Sequence, residues 1–170
     1  LEVDGTFDDC QRLVKSAFLD EELNRKMRLT SANSINVARF LPQAFYYFYA
    51  FAQLRSMQPK LSAEELETVF CVPSGNFGNL TAGLIAKRMG LPVKRFIAAN
   101  NRNDIFLQYL KSGIYTPKPS VATIANAMDV GDPSNFVRVL DLYGHSHEAI
   151  CREISGVSYT DEEIGDAMRI

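Results

Sequence analysis

One stretch near the middle of the chain has the residue types and spacing of an anion-binding turn. It follows a run of β-branched and apolar residues, 68–72, and precedes a helical pattern over 80–89 that closes at Gly90. A strand that turns through two glycines into a helix leaves several backbone N–H groups without acceptors. These donors and the positive end of the helix dipole attract anions, above all phosphate. The candidate residues are Ser74, Gly75, Asn76, Phe77, Gly78 and Asn79.

The residues of this turn discriminate among four interpretations. A P-loop requires Gly-Lys-Ser/Thr at the helix start, where this chain has Gly78, Asn79 and Leu80, so a P-loop is excluded. A dinucleotide-binding turn requires a third glycine and an acidic residue after the next strand, but Ala-Ala-Asn-Asn stands there at 98–101. Two interpretations stay open. The turn either binds the phosphate of a cofactor, through backbone amides and the Asn76 and Asn79 side chains, or it is an ordinary capped strand–helix turn.

A second polar stretch, residues 31–36, is followed one helical turn later by Arg39. Ser and Asn amides at a helix start, together with an arginine fork, can clamp a second phosphate or a carboxylate. The candidate ligands are Asn33, Ser34 and Arg39. The same residues also fit a well-capped helix that carries an exposed arginine, and both interpretations stay open.

Other polar clusters do not predict a site. His145 and His147 have no cysteine or acidic partners at a matching spacing, so we expect no metal centre. The acidic triplets at 20–22 and 161–163 are typical of solvated helix ends. The Phe/Tyr run at 45–51 is predicted to be core rather than a surface on which a ligand stacks.

Strands alternate with helices around the turn. Strands are predicted at 1–3, 68–72 and 93–98, and helices at 9–19, 35–54, 80–89 and 105–111. Such alternation implies parallel strands joined by right-handed crossovers. The predicted fold class is therefore α/β, a three-layer arrangement in which helices flank a parallel sheet.

Several local features refine this prediction. Thr6 or Asp8 is expected to cap the first helix, and residues 20–29 to form a solvated loop or short helix. The helix over 35–54 is apolar on nearly all sides, which predicts burial, and Pro42 should start or kink it. In 115–135, irregular backbone should surround a helical patch at 121–128. Three helices, 135–142, 148–154 and 161–170, should close the chain, the last with a Thr160–Glu163 capping box.

The totals bound the class of protein. The 170 residues suit about one domain, and a net charge of −2 with mixed signs gives no footprint for nucleic acid. No apolar run is long enough to span a bilayer. Three well-separated cysteines favour free thiols in a reducing compartment, so we expect a cytoplasmic protein. Because the chain begins with Leu1 and no signal peptide follows, we expect a piece of a longer protein.

Four stretches, in order, resemble the threonine synthases, which are pyridoxal-phosphate enzymes of the tryptophan-synthase-β-like fold (fold type II). They are Gly-Thr-Phe-Asp-Asp-Cys-Gln at 5–11, Asn-Ser-Ile-Asn at 33–36 with Arg39, the turn and helix start at 73–84, and Asn-Ala-Met-Asp-Val at 126–130 with Pro-Ser-Asn at 133–135. The resemblance implies one fragment of such an enzyme, with a sheet-and-helix part at 1–112 and an irregular, helical part at 113–170.

The resemblance also implies roles for the candidate residues. Residues 74–79 are expected to wrap the phosphate of pyridoxal 5′-phosphate, and Asn76 to reach the phenolic oxygen of its ring. Asn33, Ser34 and Arg39 match positions that bind the phosphate of O-phosphohomoserine. The family reaction eliminates that phosphate from the γ-carbon and adds water at the β-carbon, giving L-threonine and inorganic phosphate.

One part of the family's machinery is not expected in this chain. The Schiff-base lysine of the family lies upstream of residue 1, and the Ser or Thr that contacts the pyridine nitrogen lies beyond Ile170. The chain's own lysines fall in charged or helix-surface contexts, without the apolar setting that lowers an amine pKa. We therefore expect the chain alone to be inactive. Two rival hypotheses are a serine/threonine dehydratase of the same fold and a non-catalytic phosphate-binding module.

Overall fold

A three-stranded parallel sheet runs through the computed structural model, which describes residues 2–169. The strands are β1 (Val69–Pro73), β2 (Arg95–Asn100) and β3 (Ile154–Ser158), in the spatial order β1-β2-β3. Both pairs are parallel, with Phe70 opposite Phe96 and Phe96 opposite Ile154. Helices flank the sheet, so the predicted α/β class is confirmed.

Nine α-helices and two short 3₁₀ segments make up the rest of the regular structure within residues 2–169. They are α1 (Phe7–Leu19), α2 (Glu21–Lys26), α3 (Val37–Phe40), a 3₁₀ turn (Leu41–Gln43), α4 (Ala44–Met57), α5 (Gly78–Arg88), α6 (Ile105–Ser112), a 3₁₀ turn (Asn126–Met128), α7 (Phe136–Leu142), α8 (His147–Glu153) and α9 (Asp161–Ala167). None of these helices has the length and apolar character that crossing a membrane requires.

Two predicted helix caps are observed, although the first helix begins two residues before its predicted start. Thr6 accepts a hydrogen bond from the Asp9 N–H and forms a capping box with it, so α1 begins at residue 7. Thr160 and Glu163 form the same box at the start of α9, as predicted. Residues 20–29 contain the short helix α2, which confirms the second of the two expectations for that segment.

The core lies between the middle strand and helix α5. Phe96 and Ala98 of β2 are completely buried, as are Leu80 and Ala82 of α5. Gly83 permits the contact, because a Cβ added there would come within 2.7 Å of ring atoms of Phe96 and of a tyrosine on α4. The face of β2 that carries Phe96 and Ala98 is buried, whereas Ile97 and Ala99 on its other face are half-buried. The strand–helix turn before α5 is therefore attached to elements that form the buried core.

Strand β3 was not predicted, because the sequence pattern indicated a helix over residues 148–154 and no strand after it. Strand β3 has the sequence Ile-Ser-Gly-Val-Ser, in which two serines and Gly156 weaken the β pattern. Gly156 lies in close contact with a helix, since a Cβ there would lie 3.1 Å from the Leu107 and Leu110 side chains of α6. A glycine at such a contact does not carry the β-branched or aromatic side chain that indicates a strand.

The predicted helical patch at 121–128 is also wrong. Only one 3₁₀ turn, Asn126–Met128, is present there. The Asp129 carboxylate accepts hydrogen bonds from the Thr123 N–H (2.9 Å), the Thr123 hydroxyl (2.7 Å) and Asn101 Nδ2 (2.7 Å). These bonds fix the backbone in an irregular path and replace the bonds that a helix would make.

The apolar segment over 35–54 is divided as expected but not buried as expected. Pro42 lies in the 3₁₀ turn that separates α3 from α4, which confirms a kink at that position. The prediction that the segment is buried on nearly all sides is wrong, since Phe45, Tyr46 and Tyr49 are 67%, 72% and 69% exposed. One face of α4 packs against α5, and the aromatic residues on the other faces contact no covering element among residues 2–169.

The chain ends differ slightly from expectation. Residues 2 and 3 are not in a strand, and Leu1 of the predicted first strand lies outside the described residues. The last helix ends at Ala167, and Ile170 lies outside the described residues. The first two strands of the sheet begin one and two residues later than predicted.

Tyr47 connects α4 to the start of α5 and provides a test of this packing. Its hydroxyl donates to the Asn79 carbonyl at 2.8 Å, and burial raises the pKa of this phenol above its ordinary value. We expect Tyr47→Phe to lower the free energy of unfolding by about 1 kcal/mol, the usual contribution of one such bond. Urea unfolding measures the change. Tyr49→Phe is the matched control because that ring is exposed, and equal losses in both variants would contradict the prediction.

Candidate phosphate-binding site

The turn between β1 and α5 begins with a residue that is fixed to the sheet. The Ser74 N–H donates to the Ala99 carbonyl (2.8 Å), and its hydroxyl donates to the Val72 carbonyl (2.8 Å). Asn100 Nδ2 donates to the Ser74 carbonyl at 2.9 Å. Ser74 is buried, with 1% of its surface exposed. This residue therefore anchors the turn and leaves ligand contacts to the residues after it.

Phe77 reverses the direction of the backbone within the turn. It has left-handed dihedral angles, φ 61° and ψ 14°, which for a residue other than glycine costs roughly 1–3 kcal/mol. Its side chain is 2% exposed and packs against Phe106, with ring centroids 4.7 Å apart. Burial of the phenyl ring offsets the backbone strain. A left-handed residue in such a turn directs successive N–H groups toward one concave side.

Five successive backbone N–H groups of this turn, those of residues 75–79, donate no hydrogen bond to an acceptor within residues 2–169. The next two N–H groups are engaged, because Leu80 donates to Asn79 Oδ1 and Thr81 donates to the Phe77 carbonyl. Unpaired N–H groups at a helix start form an anion-binding concavity. The donor set therefore fits a phosphate group.

Gly75 and Gly78 permit close approach rather than unusual dihedral angles, since neither has a positive φ. A Cβ on Gly75 would lie 2.8 Å from the Met128 Cα, and a Cβ on Gly78 would lie 2.9 Å from the Ser34 Cβ. Both distances are too short for carbon atoms in contact. The two glycines thus let the 31–36 stretch and the 126–128 turn close over the N–H groups.

Ser34 connects the second polar stretch to the turn. Its hydroxyl donates to Asn33 Oδ1 (3.0 Å) and accepts from Asn76 Nδ2 (3.2 Å) and Asn135 Nδ2 (2.9 Å). Asn36 Oδ1 accepts from the Ala38 N–H, which caps α3. The capped-helix interpretation of this stretch is thus correct for Asn36. The Ser34 side chain instead contacts the turn, and the Asn33 side chain bonds to Ser34.

The amide side chains of the turn have structural hydrogen bonds. Asn76 Oδ1 accepts from the Ser134 N–H (2.7 Å) and hydroxyl (3.0 Å). Asn79 Nδ2 donates to the Pro73 carbonyl at 2.7 Å. Each Nδ2 group makes one hydrogen bond within residues 2–169, which leaves its second hydrogen for a ligand. Both side chains therefore brace the turn and retain one donor each.

Arg39 supplies a positive charge beside the turn. Its Nε donates to the Ala32 carbonyl at 2.9 Å, which fixes the plane of the guanidinium. In the described part of the chain, Nη1 and Nη2 have no acceptor. A guanidinium with two free terminal groups can bind a phosphate or carboxylate bidentately.

Seven of the nine predicted site residues line one open cavity of about 370 Å³, all except Ser74 and Gly75. The remaining lining residues are Ala32, Gln43, Ala127 and Met128. The predicted cofactor and substrate residues thus face the same cavity. A larger cavity of about 540 Å³ lies between α1 and residues 29–36, but its lining is mostly apolar and lacks the unpaired N–H groups.

Three residues of the site had no role predicted from the sequence, although Ser134 and Asn135 lie in one of the four stretches that carry the resemblance. Ser134 binds the Asn76 amide, and Asn135 and Arg138 contact the 33–36 stretch. Asn135 is completely buried, and burial lowers the pKa of the Arg138 guanidinium. A Pro-Ser-Asn sequence before a helix is ordinarily a cap, so these residue types alone do not reveal the contacts.

No group of His, Cys, Asp and Glu side chains within residues 2–169 is arranged to hold a metal ion.

Comparison with known proteins identifies relatives of this chain. No protein-family model matches it. The crystal structure of threonine synthase from Escherichia coli superposes with a TM-score of 0.87 and 48% identity, covering 99% of this chain and 38% of that one. A pyridoxal-phosphate-bound threonine synthase from Brucella melitensis gives a TM-score of 0.76 and 36% identity, covering 94% and 38%. Threonine synthase from Serratia marcescens is 50% identical over 167 residues, 98% of this chain and 37% of the relative.

The parallel sheet, its flanking helices and the turn at residues 74–79 form a part of the pyridoxal-phosphate enzyme fold seen in these structures. Within that class the chain is similar to one part of the threonine synthases, at about 50% identity over 98% of its own length. The predicted resemblance is confirmed, and the dehydratase and binding-module hypotheses are not favoured. The chain spans about 37% of the length of the curated relatives that it matches.

Gly78 provides a direct test of the close approach at the site. Gly78→Ala places a Cβ against Ser34, and overpacking of this kind costs about 1–3 kcal/mol. We expect a loss of stability of that size in urea unfolding, with weaker binding of inorganic phosphate in calorimetry. Gly165→Ala in α9 is the matched control, since nothing lies within 4 Å of its added Cβ. Unchanged stability and phosphate affinity in Gly78→Ala would contradict the proposed contact.

Proposed function

We propose that this chain forms the phosphate-binding part of a threonine synthase. The whole enzyme converts O-phospho-L-homoserine and water into L-threonine and inorganic phosphate with pyridoxal 5′-phosphate as cofactor, which makes it a carbon–oxygen lyase acting on phosphates. One observation carries the proposal: two anion-binding donor sets, residues 33–39 and 76–79, face a single cavity. A reaction in which both cofactor and substrate carry a phosphate requires such a pair.

The turn is proposed to bind the cofactor. The unpaired N–H groups of residues 75–79 suit its phosphate, with Ser74 as the anchor and Phe77 as the reversal point. The second Nδ2 hydrogen of Asn76 is the donor proposed to reach the phenolic oxygen of the ring. Once bound, the cofactor supplies an electron sink for the carbanions of the reaction. The turn supplies position and orientation.

The second stretch is proposed to bind the substrate phosphate. Arg39 has two free terminal nitrogens, and Asn33 Nδ2 makes no hydrogen bond within residues 2–169. The Ser34 hydroxyl already donates to Asn33 and must rotate to donate to a ligand. Arg39 therefore provides the charge, and Asn33 and Ser34 direct the phosphate toward the turn.

The lysine that carries the cofactor aldehyde is proposed to come from another part of the full-length enzyme. No lysine lines the cavity formed by the described residues. Lys87 is the least exposed of the seven lysines and pairs with Glu153 at 3.3 Å, far from an apolar setting. Residues 1–170 alone are thus proposed to bind phosphate without catalysing the reaction.

Two broader proposals accompany the function. Residues 1–170 are proposed to act as one structural unit, because β3 from the 113–170 part pairs with β2 from the 1–112 part. A cytoplasmic location is proposed on the basis of three free cysteines, Cys10, Cys71 and Cys151.

Substitution of Arg39 in the full-length enzyme tests the substrate assignment. We expect Arg39→Ala to raise KM for O-phosphohomoserine about 10- to 100-fold, because a charge-assisted bidentate contact to the phosphate is lost. Steady-state kinetics with saturating cofactor measures this. Arg25→Ala, which removes an exposed arginine of α2, is the control. Unchanged KM in Arg39→Ala would exclude the phosphate clamp. Conversion of L-threonine to a keto acid by the full-length enzyme, without any threonine synthesis, would favour a dehydratase.

A further inference from the structure

Asn135, the residue before α7, contacts both candidate phosphate-binding stretches, residues 33–39 and 74–79, through its buried side chain. Asn135 Nδ2 donates to the Ser34 hydroxyl at 2.9 Å and to the Asn76 carbonyl at 2.8 Å. Both hydrogens of this amide are thus used, one on each stretch. Because Asn135 has no exposed surface, water cannot replace either bond.

Arg138, one helical turn later, fixes the backbone of residues 33–39, the stretch proposed to bind the substrate phosphate (the substrate stretch). Its Nη1 donates to the Ser34 carbonyl (2.6 Å) and to Asn135 Oδ1, and its Nη2 donates to the Ile35 carbonyl (2.9 Å). The guanidinium lies over the Phe40 ring, 4.5 Å from its centroid. Arg138 therefore spans the segment from Ser34 to Phe40, which includes Arg39.

The hydrogen bond from Asn135 to the Asn76 carbonyl also affects residues 74–79, the turn proposed to bind the cofactor phosphate (the cofactor turn). This carbonyl belongs to the same planar peptide unit as the Phe77 N–H, one of the five unpaired donors. A hydrogen bond to the oxygen fixes the plane of that unit and polarises its N–H. Asn135 thereby directs a phosphate-binding donor that it does not touch.

We propose that Asn135 and Arg138 are positioning residues that set the geometry of both phosphate sites, and this inference rests on the proposed function. Asn135 bonds directly to both stretches, whereas Arg138 bonds to the Ser34 and Ile35 carbonyls and to Asn135 Oδ1 but makes no direct bond to residues 74–79. The two residues must therefore give different patterns of defect when each is replaced.

The full-length enzyme allows the two patterns to be separated. Arg138→Met is expected to raise KM for O-phosphohomoserine, and Ki for inorganic phosphate on the cofactor-loaded enzyme, about tenfold, with kcat and the Kd of pyridoxal phosphate within about twofold of wild type. Asn135→Ala is expected to raise Kd, KM and Ki together by about tenfold. Where Asn135→Ala does not fold, Asn135→Asp keeps the acceptor for Arg138 and removes both donors.

Arg88→Met is the matched control. Arg88 also donates to a backbone carbonyl, that of Leu142 at 2.9 Å, and lies over an aromatic ring, Tyr143 at 5.0 Å, but it is distant from the cavity. Its replacement should leave Kd, KM and Ki unchanged. Equal constants for Arg138→Met and Arg88→Met, or an unchanged Kd in the folded Asn135 variant, would overturn the inference.

The two proposals fail in different ways. Pyridoxal phosphate and inorganic phosphate binding are measured directly by calorimetry, without turnover. Absence of threonine synthesis by the wild-type enzyme would overturn the proposed function. Normal synthesis with unaltered binding constants in the Asn135 and Arg138 variants would overturn only the positioning role.

Discussion

Close contact between backbones is the constraint on which the site depends. Without a side chain at Gly75 and Gly78, the 126–128 turn and the 31–36 stretch come within van der Waals distance of the turn that follows β1. Any Cβ at these positions would separate the segments and open the cavity. The turn itself is fixed from below by Ser74 and by the buried ring of Phe77. Packing of the core and geometry of the anion site are therefore parts of one arrangement.

Local sequence predicted the elements whose signals are local. The strand–glycine–helix pattern around Gly78, the caps of α1 and α9, and the kink at Pro42 depend on neighbouring residues and were predicted from them. Strand β3 was missed because Gly156 serves the packing of α6, a contact that sequence spacing does not reveal. The exposure of Phe45 was not predicted, because the apolar sequence of a helix indicates which residues could be buried but not whether another element covers them.

The candidate site likewise contains residues whose contacts are close in sequence and residues whose contacts are far apart in sequence. Residues 74–79 were predicted to be an anion-binding turn from their order along the chain. The role of Asn135 depends on residues 59 and 101 positions away, Asn76 and Ser34, and a buried amide before a helix resembles an ordinary cap. Single-sequence reasoning gives residue types and neighbours, but the partner of a buried amide is set by the tertiary fold.

The composition of the cavity lining has a consequence for its response to acidity. Among the described lining residues the only charged side chain is that of Arg39, and a guanidinium group is not deprotonated in proteins. Backbone amides and carboxamides do not titrate at all. The capacity of this surface to attract an anion is therefore constant from mildly acidic to mildly alkaline solution. Any pH dependence of binding at this surface must originate in the ligand, whose phosphate monoester changes from a dianion to a monoanion as the pH falls through about 6, or in groups that other segments contribute.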